Sequence, residues 1–135
     1  EVAIQKFDLP MRSFRLVGSK SRNIFDGDPH TSDVFATGHA TIDMGEKHII
    51  TGITYLPEQN RSTFGYIHRY EIWAGETEKL QKKVAEGEFS NIKNSPTLRE
   101  VRFAPIKARF ITIKAIHIVD DLKRFNIGEF SVISN

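Results

Sequence analysis

Residues 108–118 read ARFITIKAIHI. Apolar and polar residues alternate along this stretch and stack Ile111, Ile113 and Ala115 on one face, the period-two pattern of a strand with one side buried. The same period recurs throughout the chain. HATIDM (39–44) sets Ala40, Ile42 and Met44 together, and IHRYEIWA (67–74) groups Tyr70, Ile72 and Ala74. LREVRF (98–103) turns Leu98 away from Arg99, Val101 and Phe103, so only one of those sides is core. IITGITYL (49–56) is instead a continuous apolar run containing Gly52, as expected of a strand buried on both faces.

Ser13 to Gly18 completes the set at the start and Ile127 to Ile133 at the end. Between the strands lie a turn-rich region from Lys20 to Gly38 and a polar loop from Glu58 to Gly65. Lys79 to Val84 reads either as a helical turn or two or as a strand. No segment keeps a helical apolar period for long. Seven or eight short strands must close against each other, so the expectation is an all-β fold, a β-sandwich of jelly-roll type. Residues 1–12 read as a linker or N-terminal extension and residues 13–135 as one domain, the size at which a single core suffices.

Charge and composition exclude several classes. Nineteen basic and seventeen acidic residues leave a net charge of +2, too little field for wholesale capture by nucleic acid or anionic lipid. There is no cysteine, hence no disulfide, no thiol nucleophile and no thiolate-bound metal. No apolar run approaches the ~18 residues of a membrane span and no signal peptide opens the chain, which reads as a cytosolic protein or a piece of a longer secreted one. The fingerprints of phosphate loops, zinc proteases and serine hydrolases are missing. The five histidines (His30, His39, His48, His68, His117) lack metal-ligand spacing and read as surface or strand residues.

FDGDPHT (25–31) stands out, with two carboxylates, Gly27, Pro29 and Thr31 crowded into one loop. Hard oxygen donors on a tight turn suit Ca²⁺, which takes six to eight oxygen ligands, although the spacing is not that of an EF-hand. The residues alone are equally those of a plain Asp-Gly turn.

Taken in order, NIFDGDPHT, HATIDMG, ITGITYLPEQN, GYIHRYEIW, VAEGEF, VRFAPIKARFITIKA and RFNIGEFSV resemble the discoidin domain, also called the coagulation factor type C domain, from about Phe14 to Ile133. Its bacterial branch includes the galactose-binding-like, family 32 type carbohydrate-binding modules appended to hexosaminidases, sialidases and fucosidases. The resemblance implies an eight-stranded jelly-roll β-sandwich with one structural calcium ion. The side chains of Asp26, Thr31 and Glu129 would bind it, with backbone carbonyls of Asn23, Asp28, Thr31 and Gly128. It further implies a non-catalytic module, secreted, periplasmic or on a bacterial cell surface, that holds a parent catalytic domain in the same chain near glycans bearing terminal neutral or amino sugars.

In such modules an aromatic ring lies under the apolar face of the sugar while polar side chains hold the hydroxyls. Phe125 matches the position of that ring. The polar set departs from the pattern: Glu58 stands where Arg is usual, Ser32-Asp33-Val34-Phe35 replaces a Trp-His pair, and Phe64 takes the place of an Asn. Either the loops are rebuilt for another sugar, with Phe35, Phe64 and Phe125 as apolar platforms and Glu58, Asn60, Arg61 and Arg124 as polar partners, or sugar binding is lost and the module docks to proteins. An acidic sugar facing Glu58 would meet like charge. Trp73, in mid-strand, reads as packing. Relatives that insert loops into membranes typically join their ends by a disulfide, so no membrane insertion is expected of a chain without cysteine.

Overall fold

The computed structural model describes residues 7–28, 30–59 and 65–134. Among these the chain forms β1 (Phe7–Asp8), β2 (Arg15–Leu16), β3 (Asp33–Phe35), β4 (His39–Leu56), β5 (Ile67–Gly75), β6 (Lys82–Glu88), β7 (Arg99–Ile118), β8 (Phe125–Ile127) and β9 (Glu129–Ser134). Helix is confined to two 3₁₀ turns, Asn23–Phe25 and Val119–Asp121.

The larger sheet has the order β1-β9-β4-β7-β5-β6, with β2 alongside β4, and every pair is antiparallel. A short ribbon of β3 and β8 forms the second sheet. The ladder between β4 and β7 is broken between Asp43 and His48 and between Ile50 and Gly52, and bulges of this kind let a long strand bend. The first part of β4 pairs with β2 and the second part with β9.

The alternation seen in the sequence faces inward as expected. Ala40, Ile42 and Met44 on β4, Ile72 and Ala74 on β5, and Ile111 and Ile113 on β7 are buried in one core. Register aligns them: Ile113 lies between Ala40 and Ile72, and Ile111 between Ile42 and Ala74. Each such isoleucine contributes about 1.5–3 kcal/mol of burial free energy. On β7 the Val101 side is the core, Leu98 being exposed.

Four expectations need adjustment. The early strand is paired only at Arg15–Leu16. Burial on both faces of the 49–56 run begins at Ile50, since Ile49 is 53% exposed. The Lys79–Val84 region resolves toward strand, as β6 begins at Lys82. The last strand is split, because at Gly128 the chain leaves β3 and joins β4. The Gly128 N–H donates to the Leu56 carbonyl at 2.8 Å, and a Cβ at this position would approach the Pro57 carbonyl to 3.0 Å, so any side chain at the crossing would press on that backbone. Within the N-terminal segment, Phe7 and Asp8 pair with Ser134 and Ile133.

Candidate functional site

The 3₁₀ turn at 23–25 is anchored by its apolar residues. Ile24 and Phe25 are buried, and Phe25 meets Phe14 edge to face with ring centres 6.0 Å apart. With those two residues held, the polar loop that follows is presented at the start of β9. Gly27, at φ +75°, takes the left-handed conformation that turns the loop back on itself. The Asp26 carboxylate accepts the Asp28 N–H at 2.9 Å and the Thr31 hydroxyl at 2.5 Å. That Thr31 oxygen also lies 3.2 Å from the Asn23 carbonyl and 3.1 Å from the Asp28 carbonyl. Glu129 arrives from 103 residues further along the chain and places its carboxyl against that of Asp26.

Five of the six positions expected to hold a cation thus converge through their oxygens: Asn23, Asp26, Asp28, Thr31 and Glu129. Gly128 precedes Glu129 at the same corner. Burial, then the hydrogen bond and negative charge of Asp26, push the Glu129 carboxyl up to about 8, against the pull of the Gly27 and Asp28 N–H groups. Desolvation works to raise Asp26 too, but hydrogen bonds from Thr31 and the Asp28 N–H keep its carboxyl below the usual range. Glu129 Oε1 is buried and has no hydrogen-bond partner among the described residues. Two abutting carboxyls with an orphaned oxygen, ringed by carbonyls and a hydroxyl, form a donor set that fits a hard divalent cation. No group of three or more His, Cys, Asp or Glu is arranged to hold a metal among the described residues, so carbonyl and hydroxyl oxygens must complete any coordination here.

Of the residues expected to hold a ligand, Phe35, Phe125, Arg124 and Glu58 lie on or beside the β3–β8 ribbon. Phe35 lies directly opposite Phe125 in the ladder, and their rings stack at 5.2 Å. Phe125 is 0% exposed. Its expected role as an open platform is therefore corrected, since Phe35 and the core occupy the faces a sugar would need. Phe35 itself is half-buried and Arg124 exposed. Glu58 is 5% exposed, so its charge is not turned to solvent and the argument that it repels acidic sugars loses its basis. Asn60, Arg61 and Phe64 lie outside the described residues. Trp73 is half-buried on the sheet, as expected of packing; its indole N–H donates to Glu71 at 2.9 Å and Lys114 lies over its ring at 4.2 Å.

Asn126 was not singled out by the sequence reading. It is fully buried, its Oδ1 accepts the Glu58 N–H at 2.8 Å, and its carbonyl accepts the Tyr55 hydroxyl at 3.0 Å. Its own N–H donates to the Gly65 carbonyl, so one residue pins both described ends of the 57–66 connection. An Asn two residues before the Gly128 crossing was the available signal. Beside the ribbon, residues 16–19 and 33–37 enclose a concave surface of about 430 Å³ that includes Phe35.

The profile of the F5/8 type C domain matches residues 13–128. The chain belongs to this family. Family 32 carbohydrate-binding modules of known structure superpose along nearly its full length. A family 32 carbohydrate-binding module of Clostridium perfringens NanJ, solved with galactose, has a TM-score of 0.80 at 22% identity, covering 96% of this chain and 100% of that one. CpGH89CBM32-5 from the same organism, in complex with GalNAc-β-1,3-galactose, has a TM-score of 0.80 at 20% identity, covering 95% and 100%. The family 32 module of AlyQ, bound to 4,5-unsaturated mannuronic acid, has a TM-score of 0.74 at 16% identity, covering 93% and 97%. At these identities the likeness establishes the fold. Compared by sequence with curated proteins, the chain has no match.

Proposed function

We propose that this F5/8 type C domain is a non-catalytic carbohydrate-binding module, stabilised by calcium, that serves a glycoside hydrolase of hexosaminidase, fucosidase or sialidase type exported by a bacterium. The observation that carries the reading is the end-to-end likeness to modules whose structures hold galactose and GalNAc-β-1,3-galactose. The glycan would lie at the β3–β8 end, on Phe35 and the concave surface beside it, with Arg124 supplying a further contact. Neutral or amino sugars are the ligands proposed, on the likeness to modules that hold galactose and GalNAc-β-1,3-galactose and not on the charge of Glu58. Calcium would be held by the side chains of Asp26, Thr31 and Glu129 and the carbonyls of Asn23, Asp28, Thr31 and Gly128. When bound it supplies positive charge to the paired carboxyls and ties the first long loop to the last strand.

One observation favours a second reading. Phe125 is fully buried beneath Phe35, and a stacking platform withdrawn into the core suits a domain that has given up sugar for docking to proteins. NMR titration with galactose, N-acetylgalactosamine, N-acetylglucosamine, fucose and sialic acid separates the two. Shifts confined to residues 33–37, 57–66 and 124, saturating with Kd near 0.1–1 mM, or about 4–5.5 kcal/mol, support the sugar-binding reading. No response to any sugar at about ten times that concentration leaves protein docking.

A further inference from the structure

Forty-nine residues apart in sequence, His68 on β5 and His117 on β7 face each other with their Nδ1 atoms 2.8 Å apart. The rings meet edge to face at 5.0 Å. The ladder explains the approach: pairing slips between Ile67 and Arg69 and again between Arg69 and Tyr70, and the irregularity turns both rings to one spot. Each outer nitrogen has a carboxylate. His117 Nε2 lies 2.7 Å from Asp121 Oδ1, and His68 Nε2 lies 3.3 Å from Glu88 Oε2. Asp121 is held in place by two consecutive non-glycine residues in the left-handed region, Asp120 at φ +62° and Asp121 at φ +55°.

In the metal-free chain one ring donates its Nδ1–H to the Nδ1 of the other, and a single proton bridges the pair. The carboxylate beside each outer nitrogen favours a proton on Nε2, and a ring protonated there turns its Nδ1 lone pair toward its neighbour. A metal ion that prefers imidazole nitrogen, taking the place of the bridging proton, lets both rings adopt that tautomer at once.

We propose that His68 and His117 form a binding site for a borderline divalent transition metal, Zn²⁺ or Cu²⁺ in character, coordinated through both Nδ1 atoms. Metal-bound histidines generally donate their other N–H to a carboxylate, which fixes the tautomer and raises ligand basicity, and Glu88 and Asp121 occupy those places. Tetrahedral coordination at about 2.0–2.1 Å requires the nitrogens to stand roughly 3.3 Å apart. Opening from 2.8 Å is a movement of about half an ångström for rings whose side chains are 29% and 40% exposed. No third His, Cys, Asp or Glu joins the pair among the described residues, so the remaining positions fall to water or an incoming ligand atom. The site is soft where the Asp26–Glu129 corner is hard, and the two take different ions.

The test is a zinc titration of the full chain in excess calcium, which fills the hard corner first. We expect one equivalent of zinc to bind at about pH 7.5, with the imidazole ¹⁵N signals showing both Nδ1 atoms coordinated and both Nε2 atoms protonated. H68Q and H117Q should each weaken zinc at least about tenfold, and D121N by about tenfold, while calcium stabilisation stays unchanged. If a histidine variant does not fold, the ¹⁵N spectrum of the unmodified chain decides alone. The proposal is overturned if the H68Q/H117Q chain keeps wild-type zinc affinity, or if the wild type takes up no zinc at this pair.

Discussion

Two corners of the sandwich hold carboxylates, one buried and one only partly so, and treat them oppositely. At the first, Asp43 on β4 sits between guanidiniums from both neighbouring strands, 2.9 and 3.1 Å from Arg109 on β7 and 3.2 Å from Arg15 on β2. It also accepts the Gly45 N–H at 2.8 Å, where β4 bends. The Arg109 hydrogen bond, outweighing desolvation, brings its carboxyl down to about 2. At the second corner Asp26 and Glu129 meet each other, and the ion pairs among the described residues lie elsewhere. Glu129 rises to about 8 in consequence. Where the chain supplies its own cations it completes the fold unaided. Where it supplies only oxygens, the proposed calcium ion would bring the counter-charge.

The contrast is broken most severely from the Asp43 side. Replacing Arg15 and Arg109 together by Met leaves a buried carboxylate uncompensated and should cost about 3–5 kcal/mol in urea unfolding. If that variant is as stable as wild type, Asp43 does not depend on its arginines.

The pH dependence of the two corners should differ in sign. Asp43 has a folded pKa below its unfolded value, so its contribution of about 2 kcal/mol is present above pH ~3.8 and is lost as pH falls through about 2. Glu129 without a cation has a folded pKa above its unfolded value. In chelator, stability should therefore decline as pH rises from about 4.5 toward 8, and added calcium should remove that decline. Denaturant midpoints measured across pH with and without calcium check both. A chelator curve that stays flat over this range contradicts the account of Glu129.

The smallest effect sharpens the loop. A Cβ at Gly27 would meet nothing within 4 Å, so G27A pays only for the left-handed backbone, about 1 kcal/mol. Melting temperature measured with calcium present should fall by a few degrees. A loss larger than about 3 kcal/mol would mean that Gly27 has a further role.

Much of this was legible beforehand. Alternation assigned the inward faces of β4, β5 and β7 because a half-buried strand repeats every two residues, and Ile111 and Ile113 are both at 0% exposure. The Asp26 and Glu129 corner followed from family resemblance, since nothing local links residues 103 apart. What stayed hidden was set by partners across strands. Phe125 reads as a loop aromatic until its register opposite Phe35 is known. Glu58 reads as a solvated acid until Asn126 draws its backbone inward. His68 and His117 have no spacing to notice, because slips in the β5–β7 ladder bring them together.

The measurement that bears most directly on the central claim is thermal unfolding of wild type and E129Q, each in calcium and in chelator. Calcium at about a thousand times its Kd should stabilise wild type by about 4 kcal/mol, a rise of several degrees or more. In E129Q, which removes one of the two charges, calcium should have little effect, while the chelator-treated variant should equal or exceed wild type because the carboxyl conflict is gone. Equal melting of wild type in calcium and in chelator would contradict the account, and the Asp26–Thr31 loop would then be an ordinary turn.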